Sequence, residues 1–248
     1  MRIISILNFK GGVGKSTLAT NLGHALAIGG RRVLIIDCDL QANSSTLLST
    51  VSRPTLTHVL QGQADLKDAV RPARENLDVV PSDRDLDAAA KYIVAGGRKG
   101  YYILRRQIGQ IGGYDTVLFD HSPSYSAVTE AALLASDDML IPCELSTFSM
   151  QGLIAMVEKL DDTLVEHTLT MAGVVPFKVN RRFKEHLAYM ADLEQTFGEK
   201  VLPAVRTDTT ISKAQGFSQT VFEYDNTSKA AEDFRAIAKV MSSKVVVS

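Results

Sequence analysis

The chain has 248 residues, 45% of them hydrophobic, and a formal net charge of −1. This composition suits a globular protein with a real core, and the near-neutral balance excludes a whole-molecule electrostatic footprint for nucleic acid. No apolar run approaches the roughly 18–20 residues that cross a bilayer, and Cys38 and Cys143 form neither a disulfide framework nor a metal-spacing motif.

The chain opens on Arg2–Phe9, an isoleucine-rich run that reads as a strand buried on both faces. It lacks the charged, then apolar, then small-residue order of a signal peptide, so the expectation is a cytoplasmic protein. A glycine-rich segment follows at Lys10–Lys15, then a helix from Ser16 to Ile28 that Gly29-Gly30 ends. Arg32–Asp37 reads as a second buried strand. Further strands are expected at Leu77–Val80, Thr116–Asp120, Met139–Pro142, Thr170–Val175 and Lys200–Pro203. Helices are expected at Asp85–Val94, Tyr101–Ile111, Ser126–Ala135, Met150–Glu166, Arg182–Phe197 and Ser228–Ser242. Alternating strands and helices imply an α/β fold: a doubly wound, mainly parallel sheet with helices on both faces. No linker-like stretch divides the chain, so residues 1–248 are read as one domain.

The functional reading starts at Gly11-Gly12-Val13-Gly14-Lys15-Ser16-Thr17, between a strand and a helix. Glycines let the backbone approach a polyanion, and the helix N-terminus adds partial positive charge. Lys15 is expected at the β- and γ-phosphates of ATP, and the Ser16 hydroxyl on Mg²⁺. The glycine that the ordinary Walker pattern carries four intervening residues before Gly14 is absent, and Lys10 stands at the start of the loop. Two more elements carry carboxylates at strand ends: Asp37-Cys38-Asp39, and Thr116–Asp120, an apolar strand closing on an acid. Asp37 and Asp120 are expected to organise the metal and its waters, and Asp39 to orient the attacking water.

These residues resemble the ParA/MinD family of deviant-Walker ATPases. The resemblance runs through Lys10–Thr17, Asp37-Cys38-Asp39-Leu40-Gln41-Ala42-Asn43, Asp120-His121-Ser122-Pro123-Ser124, Leu77–Ser82, Phe222-Glu223-Tyr224-Asp225 and Ser228–Ala231, and so covers nearly the whole chain. It implies an ATP-dependent sandwich homodimer in which Lys10 reaches across to the partner's nucleotide while Lys15 serves its own. It implies catalytic roles for Lys10, Lys15 and Asp39. Leu40 departs from the family's proline, and His121-Ser122 from its Thr-Pro. His121 reads as a structural histidine, with pH sensing as the sharper alternative.

Within the family, a ParA-type partition ATPase of the Soj kind fits best. That branch implies chromosome or plasmid partitioning, nonspecific DNA binding, nucleoid association and a ParB-like or cargo-adaptor protein that stimulates hydrolysis. Lys178, Arg181, Arg182 and Lys184 fall within seven residues. Arg182 best matches the branch's DNA-contacting residue, joined by Arg181, Lys184 and Lys213. Arg206 lies near the second basic stretch, and the family's arginine there falls near Thr210. A second basic cluster is Arg98/Lys99/Arg105/Arg106, and neither cluster contains an aromatic interleaving that reads as a base-stacking platform. The alternatives are MinD-like membrane patterning, positioning of a protein cargo, a cluster-bearing relative of the nitrogenase iron protein and a non-hydrolysing scaffold. Phe234, Ile237, Val240 and Met241 read as a core stripe and not a membrane anchor. Cys38 and Cys143 read as buried small hydrophobes and not cluster ligands.

Overall fold

The computed structural model describes residues 1–50, 52–146, 152–158, 160, 167–180 and 182–243. The strands are β1 (Arg2–Ile6), β2 (Val33–Cys38), β3 (Arg71–Arg74), β4 (Leu77–Val80), β5 (Thr116–His121), β6 (Asp138–Glu144), β7 (Thr170–Val179) and β8 (Val205–Arg206). They form one sheet in the order β3-β4-β2-β5-β1-β6-β7-β8. Among the described residues only the β3–β4 pair is antiparallel.

The sheet is apolar on both faces because the runs are continuous and not alternating. Ile4, Ile6, Val33 and Ile35 join one core cluster, and Ile3, Leu34 and Ile36 join the other. The first face is covered by α1 (Lys15–Ile28), which packs on the C-terminal helix Lys229–Ser243. Phe234, Ile237 and Met241 are buried there, with Val240 partly so, which makes the C-terminal stripe a core face. Short helices α2 (Asn43–Leu47), α3 (Leu56–Leu60) and α4 (Leu66–Ala69) follow β2. The second face carries α5 (Leu86–Ala95), α6 (Gly97–Tyr101), α7 (Ile103–Ile108) and α8 (Ala127–Ala135). Beyond β6 lie α9 (152–158) and α10 (Lys184–Phe197). The chain finishes through α11 (Thr209–Gly216), α12 (Val221–Tyr224) and α13 (Lys229–Ser243).

The expected elements hold except at three places. The helix expected over Tyr101–Ile111 is two short helices, Gly97–Tyr101 and Ile103–Ile108. The strand expected at Lys200–Pro203 is displaced: Lys200 ends a 3-10 turn, Val201 makes one isolated bridge to Val174, and pairing resumes at Val205. Pro203 has no N–H to give a ladder, which accounts for the interruption. Of the helix expected over Met150–Glu166, residues 152–158 and 160 are helical and the rest lies outside the described residues. Among the described residues no helix is long and apolar enough to cross a membrane.

Candidate functional site

The strand order decides what meets at the carboxyl end of the sheet. β5 lies between β1 and β2, and its Asp120 is in register with Ile6 on one side and Asp37 on the other. The glycine loop after β1 and the acids of β2 and β5 therefore share one crevice, where open α/β sheets hold ligands. The crevice is a cleft of about 830 Å³ lined by Gly11, Gly12, Gly14, Lys15, Ser16 and Thr17 on one side. Asp39, Leu40, Gln41, Asn43 and the segment Ser122–Ser124 form the other walls, with Gln215 and Ser218 from the α11 end.

The loop is held from below. Gly14 caps α1 at φ 99°, a left-handed conformation that favours glycine. A Cβ placed there would stand 2.7 Å from the ring of Phe177, so close packing also demands a glycine. Val13 is buried and does not line the cleft. Lys15 is buried, and its Nζ donates to the carbonyls of Asn8 at 2.9 Å and Lys10 at 3.1 Å. Burial lowers the Lys15 pKa, with Asp120 and Asp39 opposing the shift. Lys10 behaves differently: it is exposed and is not part of the cleft wall, although its backbone N–H is fixed by Asn8 Oδ1 at 2.9 Å. On α1, the Thr17 hydroxyl accepts from Gln215 Nε2 at 2.9 Å, which ties α11 to the loop.

Asp37 and Asp120 are both fully buried, and both have pKa values raised chiefly by that burial. Their hydrogen bonds differ. Asp37 Oδ1 accepts from the Asp39 N–H at 3.1 Å, and Oδ2 accepts from the Ser45 N–H at 2.9 Å and the Ser45 hydroxyl at 2.6 Å. Asp120 Oδ2 accepts from the Ser44 hydroxyl at 2.7 Å, while Oδ1 has no partner. The Ser16 hydroxyl also favours the ionised form of Asp120. Asp39, buried at the cleft, accepts from the Gln41 N–H at 2.9 Å.

An orphaned carboxylate oxygen beside a serine hydroxyl and a cationic lysine fits a magnesium ion. That ion is usually held by one or two protein oxygens together with phosphates and water. Among the described residues no cluster of three or more acidic, histidine or cysteine side chains offers an all-protein cage. His121, next to Asp120, is fully buried; its Nε2 pairs with the Ser5 hydroxyl at 2.8 Å, which in turn meets Ser136. Its Nδ1 has no partner, and burial pushes its pKa down to about 3. It is a neutral structural residue between β5 and β1, and its other nitrogen is left unsatisfied.

The basic residues lie at the same end of the outer strands. Arg182 and Lys184 are exposed just before and at the start of α10, and Lys213 is exposed on α11. Arg181 lies outside the described residues. Phe183, between Arg182 and Lys184, is an exposed aromatic. Arg206 is bound to Asp233 and Glu232 and is committed to α13. Lys178 pairs with Glu144 at 3.1 Å. Cys38 and Cys143 are both buried free thiols. Sequence reasoning missed Ser44, Ser45 and Gln215; the hydroxyl pair after Asn43 was the available signal for the first two.

A strand, a glycine loop entering a helix, a buried lysine and a Walker-B acid in one crevice define a P-loop ATPase. Residues 1–171 match the family model AAA_31, described as an AAA domain. The chain is 35% identical to the chromosome partitioning protein ParA of Caulobacter vibrioides, covering 98% of this chain and 95% of that one. It is 29% identical to the chromosome-partitioning ATPase Soj of Thermus thermophilus, covering 99% and 97%. Its fold matches the ATP complex of a McdA variant from Cyanothece with a TM-score of 0.85 at 24% identity, over 100% of this chain and 98% of that one. The chain belongs to the ParA-type partition ATPase family.

Proposed function

We propose that this ATPase forms an ATP-dependent sandwich dimer, binds DNA without sequence preference and drives partitioning of a chromosome or plasmid. A ParB-like or cargo-adaptor protein stimulates its hydrolysis. The observation that carries the reading is the split between two lysines of one loop: Lys15 is buried in the cleft wall, and Lys10 is exposed outside it. In a second copy's site this exposed lysine would neutralise charge spreading in the transition state as an arginine finger does.

Within one subunit, Gly11, Gly12, Gly14 and the N-terminus of α1 cradle the phosphates, and Lys15 binds the β- and γ-oxygens. Ser16 and Asp120 would hold magnesium, which when bound would draw charge off the phosphates. Asp37, on the neighbouring strand, would help Asp120 organise the metal and its waters. Asp39 lines the cleft one turn of loop away and orients the attacking water. Exposed Arg182, Lys184 and Lys213 contact DNA phosphates together with Arg181, and the protein acts in the cytoplasm on the nucleoid.

Sedimentation with ATP, ADP and no nucleotide tests the dimer. The expected result is a dimer with ATP alone, and loss of ATP turnover in both Lys10→Ala and Asp39→Ala. A Lys10→Ala protein that dimerises and hydrolyses at the wild-type rate overturns the trans role. Binding to random duplex DNA across a salt series tests the rest: it should require ATP, weaken steeply with salt and drop in Arg182→Ala. Sedimentation with anionic liposomes decides against the MinD-like alternative if the protein stays in the supernatant.

A further inference from the structure

The two buried acids divide their hydrogen bonds in a way the nucleotide site alone does not require. Asp37 closes a loop on itself: one oxygen holds the N–H of Asp39 and the other holds the N–H and hydroxyl of Ser45. Both ends of the segment 39–45 are thus stapled to one carboxylate. Within it, Gln41 N–H is held by Asp39 Oδ1 and Ala42 N–H by the Asp39 carbonyl. Ser45 Oγ also accepts from the Ser82 N–H at 3.0 Å, which fixes the segment to the end of β4. Only Ser44 reaches the other acid. Its hydroxyl, fully buried, donates to Asp120 Oδ2 at 2.7 Å, across 76 positions of sequence. That leaves Asp120 Oδ1 as the open oxygen.

We propose that Ser44 is a positioning residue that couples the metal site at Asp120 to the segment carrying Asp39. Asp37 makes segment 39–45 one body, and Ser44 is the strap from that body to the metal-binding acid. The strap holds the Asp120 carboxylate by Oδ2 and leaves Oδ1, which is buried, without a partner. It also makes the position of Asp39 respond to what Asp120 holds. The inference rests on the magnesium–nucleotide reading of the cleft.

The test is binding of a fluorescent ADP analogue to the full chain, titrated with MgCl₂ and compared with EDTA. In the wild type, magnesium tightens binding and slows hydrogen exchange of amides 39–46. In Ser44→Ala, affinity in EDTA is unchanged, while the magnesium concentration for half-effect rises roughly tenfold, the effect of one charge-assisted hydrogen bond. The exchange of 39–46 no longer responds to magnesium. Ser44→Thr keeps the hydroxyl and restores both responses. If Ser44→Ala does not fold, Ser44→Cys, similar in size but a poor donor, carries the same expectation. A variant with the wild-type magnesium midpoint and exchange response overturns the coupling and leaves the ATPase reading intact. A wild type whose nucleotide affinity ignores magnesium removes the coupling together with that reading.

Discussion

At the scale of single residues, two positions have consequences that solution measurements can read. Gly14 sits at φ 99° with the Phe177 ring where a side chain would go. Gly14→Ala should cost about 1–3 kcal/mol from backbone strain, before any clash is counted. Thermal melts should show this, with ATP affinity falling in parallel. Phe177→Leu added to Gly14→Ala should recover only the clash and not the strain. His24 is the second position. Its Nδ1 meets the Thr220 hydroxyl at 2.7 Å, and burial, aided by Arg74 and opposed by Glu223, lowers its pKa below the ordinary 6.5. The fold therefore prefers neutral His24. Above 6.5 both states are neutral; as pH falls below it, the unfolded chain takes up the proton first and stability drops. The loss grows until the folded-state pKa is passed. His24→Gln should flatten the Tm-versus-pH curve on the acid side of neutrality. The motif residues around Gly14 were readable because their spacing is local. Ser44 was not, since its partner Asp120 is remote in sequence and a serine after a loop carries no sign of what it will touch.

Among the elements, legibility followed burial. Strands such as Val33–Cys38 are buried throughout, so an unbroken apolar run betrays them. Strand Arg71–Arg74 reads Arg-Pro-Ala-Arg and has no fully buried residue; it exists because it pairs with Leu77–Val80 at the sheet edge, where proline is tolerated. The helices between β2 and β4 are four or five residues long, too short for a periodic signal. The first turn of α3 is held by a distant acid, Asp83, which accepts from the hydroxyls of Thr55 and Thr57. Helix α13 was legible through its stripe, and it carries weight in the core. Phe234 is fully buried and lies 6.3 Å from the Phe177 ring, which in turn sits beneath Gly14. Phe234→Ala should destabilise by about 3–5 kcal/mol in urea unfolding. Because the cavity opens behind Phe177, nucleotide affinity should fall as well; a pure stability loss with wild-type affinity would show that the ring pair does not brace the loop.

For the whole molecule, the sequence announced the three motif-bearing strands but not their lateral order. Hydrophobic runs say which segments are strands; they do not say that β5 separates β1 from β2. That order has a consequence for how the protein comes into being during synthesis. The glycine loop and Asp37 are both made within the first 40 residues, yet the strands that bear them do not touch each other. Their common neighbour begins at Thr116. A nascent chain, or a fragment comprising residues 1–112, holds both halves of a phosphate site without the strand that pairs with both of them. Such a fragment should bind no nucleotide in equilibrium dialysis. The expectation is that competence to bind ATP appears once β5 has inserted between two strands already synthesised.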